Sequence, residues 1–257
     1  MSKLTLISWN VNGIRAIARK GFAPWLEKVQ PDILCLQETK ANPNQLDKSL
    51  KNIPNYHSYF SSAAKAGYSG VATYTKIKPK QASFGLKYDG IDEEGRVALT
   101  EYDDFLLFNV YFPNGKASKE RLAYKMKFYD EFLETVSKLT KQGKNVIFCG
   151  DVNTAHKPID LARPKENETI SGFLPEERAW LDKVIASGFI DTFRVFNQKP
   201  DQYSWWSQRT RARQRNVGWR IDYFFVNSVF APKVTNAFIM PEVMGSDHCP
   251  IGIEIQL

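Results

Sequence analysis

A chain of 257 residues with 43% hydrophobic, 25% charged and 13% aromatic residues has the make-up of a folded globular protein and excludes an intrinsically disordered one. Thirty-five Lys and Arg against 28 Asp and Glu leave a net charge of +7, which favours a polyanionic partner such as nucleic acid. No apolar run approaches the ~20 residues of a membrane span. The opening MSKLTLISWNVNG also lacks the pattern of a secretion signal. The expectation is an intracellular protein, cytoplasmic and nucleoid-associated or nuclear, with no membrane partner.

In chain order, the β-rich runs LTLISW, DILCLQ, GVATYT and FLLFNVYF come first. A long helical pattern follows over residues 118–144, where Leu122, Met126, Tyr129, Leu133 and Val136 recur at helical spacing before Gly143. The strand NVIFCG comes next, then a helix over 174–188 with Pro175 in its first turn and Gly188 at its end, then the strands IDYFFV and IGIEIQL. No linker, low-complexity tract or repeat interrupts the chain, so one α/β domain over residues 1–257 is expected. Cys35, Cys149 and Cys249 form no CxxC pair and sit in or beside apolar runs, which predicts buried free thiols and a reducing compartment.

Polar ligands recur where these strands finish. ISW runs into Asn10 and Asn12, ILCLQ into Glu38, NVYFP into Asn114, VIFCG into Asp151 and Asn153, and MGSDH precedes the last strand. Any one of them reads as an Asx-turn or helix cap; six on one chain suggest convergence. Glu38, Asn10, Asn12 and Asp247 supply hard oxygen donors without a thiolate or a histidine cluster, a set suited to Mg²⁺, with Mn²⁺ as a substitute. Asp151 and Asn153 are two residues apart, so in an extended segment both project to one side. There a carboxylate can orient a water while an amide donates to a phosphoryl oxygen. His156, alone in the following loop, reads as a surface or supporting residue.

The blocks SWNVNG, LCLQETK, GYSGVATYTK, NVYFPNG, GDVNTAH, NVGWRIDYFF and GSDHCPI, in this order, resemble the signature blocks of the exonuclease III family of abasic-site endonucleases. The resemblance runs from about residue 4 to the C-terminus and is strongest to archaeal and nuclear-type members. It implies a four-layer α/β sandwich of the DNase I-like, or endonuclease/exonuclease/phosphatase, fold. Two mostly antiparallel sheets would pack face to face with helices outside and the site at one edge.

The resemblance also implies roles. Glu38, with Asn10 nearby, binds Mg²⁺; Asp247 helps hold the metal region, and Asp151 and Asn153 join it there. His248 binds or polarises the scissile phosphate, with Asp222 fixing its tautomer and favouring its charged form. Asp151 orients or deprotonates the attacking water, Asn153 and Asn114 hold phosphate oxygens, and Tyr111 supplies a phenol. The implied reaction is Mg²⁺-assisted hydrolysis 5′ to an abasic deoxyribose, together with 3′→5′ exonuclease or 3′-end-cleaning activity and incision at uracil or other altered nucleotides.

The run YSWWSQRTRARQRNVGWR interleaves tryptophan and arginine, as nucleic-acid surfaces do. By resemblance, Trp205, Trp219 and Ile221 wall a pocket for a flipped-out abasic sugar. Arg209 enters the DNA groove, Tyr68, Arg96, Lys116 and Lys125 contact the backbone, and Asn167 also touches substrate. Ala117, Arg209 and Ile170 depart from the nuclear-type pattern, which carries Arg, Met and Asn there. The expected partner is double-stranded DNA containing abasic or altered nucleotides, bound by a monomer. Rival readings are a DNase I-like nuclease, or an inositol phosphate phosphatase or sphingomyelinase of the same superfamily, and a DNA-binding protein with a dead site. The arginine–tryptophan run and the absence of a secretion signal or apolar membrane loop oppose the phosphatase and sphingomyelinase readings; the number of acids opposes the dead site.

Overall fold

The structure is a computed structural model that describes residues 2–87 and 92–257. Fourteen strands are named in chain order: β1 (Lys3–Asn10), β2 (Ile33–Gln37), β3 (His57–Ser61), β4 (Val71–Thr75), β5 (Gln81–Phe84), β6 (Val97–Glu101), β7 (Leu106–Tyr111), β8 (Val146–Asp151), β9 (Phe189–Asp191), β10 (Trp205–Trp206), β11 (Gly218–Trp219), β12 (Asp222–Asn227), β13 (Val234–Ile239) and β14 (Ile251–Gln256). They form two six-stranded sheets, ordered β13-β14-β1-β2-β4-β3 and β5-β6-β7-β8-β12-β9, and a short β10-β11 pair. Among the described residues, only β1–β2 and β7–β8 are parallel; the other neighbours run antiparallel.

The central strands β2, β4, β7, β8 and β12 are buried at every residue, because each sheet is covered on both faces. Between the sheets lie Leu6, Ile33, Cys35, Leu107, Ile147, Cys149, Phe224 and Ile253. The helices α1 (Ile14–Ala18) and α2 (Phe22–Val29) cover the outer face of the first sheet through Ile14, Ile17, Phe22 and Leu26. Among those that follow, the 23-residue α3 (Lys119–Lys141) and α4 (Pro175–Ala186) cover the second sheet, joined by Tyr129 stacked on Trp180 at 3.9 Å. The layers are thus helix, sheet, sheet, helix, as expected, and all three cysteines are free and buried.

The α3 face differs in detail from the expected one. Leu122 and Met126 are half-buried, while Phe128 and Phe132 lie fully inside with Tyr129, Leu133 and Val136, and Lys125 is buried with them. The face turns because Phe128 and Phe132 meet the edge of Phe112 at 5.5 and 5.0 Å. Edge strands β3, β5, β9 and β13 and the partly exposed β6 carry no continuous apolar run, so local composition does not mark them. Gly150, just before Asp151, has φ 136°, and a Cβ there would fall 1.9 Å from the Val110 carbonyl oxygen. Only glycine lets β8 approach β7 this closely at the site.

Candidate active site

Register assembles the centre. Asp151 at the end of β8 is paired with Tyr111 of β7 on one side and Asp222 of β12 on the other, so the three side chains share one face. From the first sheet come Asn10, at the end of β1, and Glu38, just past β2. Glu38 adopts φ 51°, Asn12 φ 48° and Asn153 φ 57°, left-handed backbone that is uncommon for residues with a Cβ and typical of functional sites.

The Asn10 amide donates to Glu38 Oε1 and to Asp151 Oδ2, both at 2.9 Å, spending both hydrogens on two carboxylates that would otherwise repel. Lys40 lies 2.8 Å from Glu38 Oε2. Asp151 Oδ1 accepts the Asn153 backbone N–H at 2.8 Å. His248 Nδ1 is 2.9 Å from Asp222 Oδ2 and its Nε2 3.8 Å from Asp151 Oδ2. Ser204 Oγ donates to Asp222 Oδ2 at 2.6 Å and accepts the backbone N–H groups of Ile221 and Asp222.

Burial shifts these groups in opposite senses. It raises the Asp151 carboxyl, and although His248 opposes it, Asp222 and Glu38 add to the rise, leaving it at about 7. For His248, burial works against the charge but is overcome by Asp222, Asp151 and Asp247, which push the imidazole up to about 10. Burial likewise raises Glu38, yet Lys40, Asn10 and His248 prevail and its carboxyl sits below the ordinary range. The Tyr111 phenol is pushed well up by burial and by Glu38 and Asp151, against the pull of Arg96, and stays protonated.

Among the described residues, Glu38, Asp151 and His248 each offer a ligand atom within 4.8 Å of the others. Two carboxylates bridged by one amide make a hard-oxygen donor set that fits a divalent cation. Asp247 is not in this group: its carboxylate accepts from Asn12 at 2.9 Å and from the Trp205 indole at 3.1 Å. The Asn153 amide donates to the Phe112 carbonyl at 2.9 Å and to Asp151 at 3.2 Å, and its oxygen accepts from Asn114 at 2.9 Å.

A cavity of about 290 Å³ opens over this centre, lined by Glu38, Tyr111, Asn114, Lys116, Asp151, Asn153, Gly172, Trp205, Trp219, Ile221, Asp247 and His248. The Lys116 ammonium lies 5.3 Å from the centroids of both Trp205 and Trp219. Gly172 lacked any sequence signal; it matters because a Cβ there would press on Trp219 at 3.2 Å. Ser204 lies inside the quoted tryptophan–arginine run, and Lys40 and Ser246 inside the quoted blocks, where none of the three stood out from its neighbours.

Lys125 and Arg96, expected on the DNA backbone, are engaged inside the fold. Lys125 is fully buried, its ammonium 2.6 Å from Glu177 and 2.8 Å from the Asn153 carbonyl and Thr154, so it cannot reach a DNA backbone. A buried cation requires such pairing. Arg96 is only 2% exposed; its guanidinium is occupied by Glu94 at 2.6 Å, the Tyr111 carbonyl at 2.9 Å and the Tyr68 hydroxyl at 3.0 Å. Tyr68 is half-buried and also accepts from Arg121 at 3.1 Å. Asn167 closes its own turn through the carbonyls of Arg163 and Ala162. Within the arginine run, Arg220 is buried against Asp160 and Asp191 at 2.8 and 2.6 Å. Arg209, Arg211 and Arg215 are exposed.

The sequence profile of the Endonuclease/Exonuclease/phosphatase family matches residues 7–248. The chain is 43% identical to an exodeoxyribonuclease of Bacillus subtilis over 256 residues, 99% of this chain and 100% of that one. It is 40% identical to a DNA-(apurinic or apyrimidinic site) endonuclease of Dictyostelium discoideum over 260 residues, 100% of this chain and 72% of that one. The crystal structure of an AP endonuclease from Leishmania major superposes with a TM-score of 0.90 at 33% identity, covering 99% of this chain and 88% of that one. A profile match spanning the carboxylate–imidazole centre, and relatives aligned along the whole chain, establish that this protein belongs to the endonuclease/exonuclease/phosphatase family.

Proposed function

We propose that this DNA-repair nuclease hydrolyses the phosphodiester 5′ to an abasic deoxyribose in duplex DNA, with Mg²⁺ as its cofactor and Mn²⁺ as a substitute. The products are a 3′-hydroxyl and a 5′-deoxyribose phosphate. One observation carries the reading: Asp151, His248 and Glu38 meet at the floor of a cavity of about 290 Å³ whose walls include Trp205, Trp219 and Ile221. That volume lies at the small end of ligand sites, suited to a sugar-phosphate better than to a whole nucleotide. A missing base also lowers the cost of rotating the sugar out of the stack.

Glu38 and Asp151, with the Asn10 amide between them, would hold the cation, which supplies charge neutralisation at the phosphate. Asp151, which lines the cavity beside Glu38 and His248, would orient the attacking water and take its proton. His248, kept cationic by Asp222, faces the developing charge on the phosphoryl oxygens. Tyr111 retains its proton and can donate to the same oxygens. Asn114 lines the cavity and would hold an oxygen of the phosphate. The same centre would act on a 3′-terminal phosphodiester or phosphate, since the bond and its charge are alike.

Labelled duplexes carrying an abasic analogue, a uracil, a 3′-phosphate or a recessed end, each with Mg²⁺ and with EDTA, test this. Abasic incision is expected to exceed nicking of intact duplex and to stop in EDTA. Equal rates on intact and abasic duplex would overturn it. The uracil and 3′-phosphate arms measure how far the substrate range extends.

A further inference from the structure

The segment that carries Trp205 and Trp206 continues into the arginine-rich turn. Arg209 and Arg211 of that turn are exposed, but Arg213 turns inward. Its Nη2 donates to the carbonyls of Pro241 and Val243, both at 2.7 Å, and its Nη1 to that of Ser246 at 3.4 Å. The guanidinium lies over the Trp206 ring, 4.5 Å from the centroid. Three carbonyls of one loop thus converge on a stacked planar fork, a geometry that a single ammonium does not reproduce.

That loop ends in Asp247 and His248. It belongs to no strand between β13 and β14, so its place is set by its neighbours. Ser246 Oγ donates to the Asn10 carbonyl at 2.8 Å and accepts the His248 backbone N–H at 3.3 Å. The Trp206 backbone N–H donates to the Asp247 carbonyl at 3.0 Å, and the Trp205 backbone bridges to that of His248. On the far side, Lys20 donates to the Gly245 carbonyl at 2.9 Å.

We infer that Arg213 is a positioning residue, not a phosphate contact: it fixes the loop that presents Asp247 and His248 to the reacting phosphate. It lies in the single-turn helix Ala212–Arg215, directly after the exposed Arg209 and Arg211. It therefore links the seating of duplex phosphate on that turn to the placement of the imidazole. The inference rests on the repair-nuclease reading above.

The full-length enzyme is tested as Arg213→Met and Arg213→Lys, with Arg211→Ala as the phosphate-binding comparison. Both Arg213 variants are expected to lower single-turnover cleavage at saturating enzyme, the methionine on the order of 100-fold and the lysine less. The salt slope of duplex binding should stay at the wild-type value in both, whereas Arg211→Ala lowers it. A second readout needs no cleavage. The chain has three histidines, His57, His156 and His248, and the His248 ring resonances should move in Arg213→Lys while the other two stay. That comparison stands even where Arg213→Met fails to fold. Unmoved His248 resonances with a wild-type saturating rate would overturn the inference. A salt slope that falls in the Arg213 variants as in Arg211→Ala would overturn it too. Loss of abasic preference in the wild type would remove the functional reading, while the His248 resonances would still decide the placement role.

Discussion

Asp151 and Asp222 stand directly opposite each other in the β8–β12 pair, and His248 spans them, 2.9 Å from Asp222 and 3.8 Å from Asp151. Two carboxylates on adjacent strands would repel if both were ionised without a cation between them. The imidazolium relieves that repulsion and is itself held charged by it. Asp222→Asn removes the charge and keeps the shape. Single-turnover cleavage of an abasic duplex should fall by roughly 10²–10⁴, with unchanged circular dichroism. A near wild-type rate would separate Asp222 from the chemistry.

Glu38 projects from a left-handed residue, φ 51°, into the carboxylate group. Glu38→Ala is expected to raise the Mg²⁺ midpoint for cleavage and to slow the reaction severely, while duplex binding in EDTA persists. A normal Mg²⁺ titration of the variant would remove Glu38 from the cation site.

Trp219 packs edge-on to Trp205 at 6.4 Å, with Gly172 behind it. Trp219→Ala opens the cavity wall, so abasic cleavage should drop more than nonspecific nicking does. The ratio of the two rates is the measurement; an unchanged ratio would mean that this wall does not select the baseless sugar.

Arg209 and Arg211 are exposed cations of the turn, as is Arg215. Replacing both with alanine should reduce the slope of log affinity against log salt by about 0.9 for each phosphate that is no longer neutralised. Fluorescence anisotropy across a salt series checks this, and an unchanged slope would place the turn away from the duplex.

Asp160 is 1% exposed and takes Arg220 at 2.8 Å and Arg194 at 2.6 Å. Burial raises its carboxyl, but Arg220, the Lys157 backbone N–H and Arg194 overcome this and hold it below its ordinary value. A depressed folded value means that the stabilisation is complete above the unfolded value of ~3.9 and is lost as pH falls through the folded one. Asp160→Asn should cost about 3–5 kcal/mol at neutral pH and flatten the acid limb of stability. Denaturant melts at pH 7 and below pH 4 test both; equal acid sensitivity in wild type and variant would contradict the assignment.

Most of the polar residues that line the cavity and most of the buried strands were legible in the chain alone. Apolar runs such as ILCLQ and LLFNVY are local, and so are the polar residues that end them. Register then brings Tyr111, Asp151 and Asp222 together. Tertiary structure alone decided where the cations went. Lys125, Arg96, Arg213 and Arg220 look in sequence like members of a DNA-facing set. Yet Lys125 finds Glu177 from 52 residues away and Arg220 finds Asp160 from 60. Arg213 finds the carbonyls of a loop some 30 residues on. A long cationic side chain has no local periodicity to show which way it points. Its direction follows from the partner that offsets its desolvation, and that partner comes from a distant part of the chain. Edge strands such as β3 and β5 were hidden for a related reason: their pairing is set by the strand beside them rather than by an apolar run of their own.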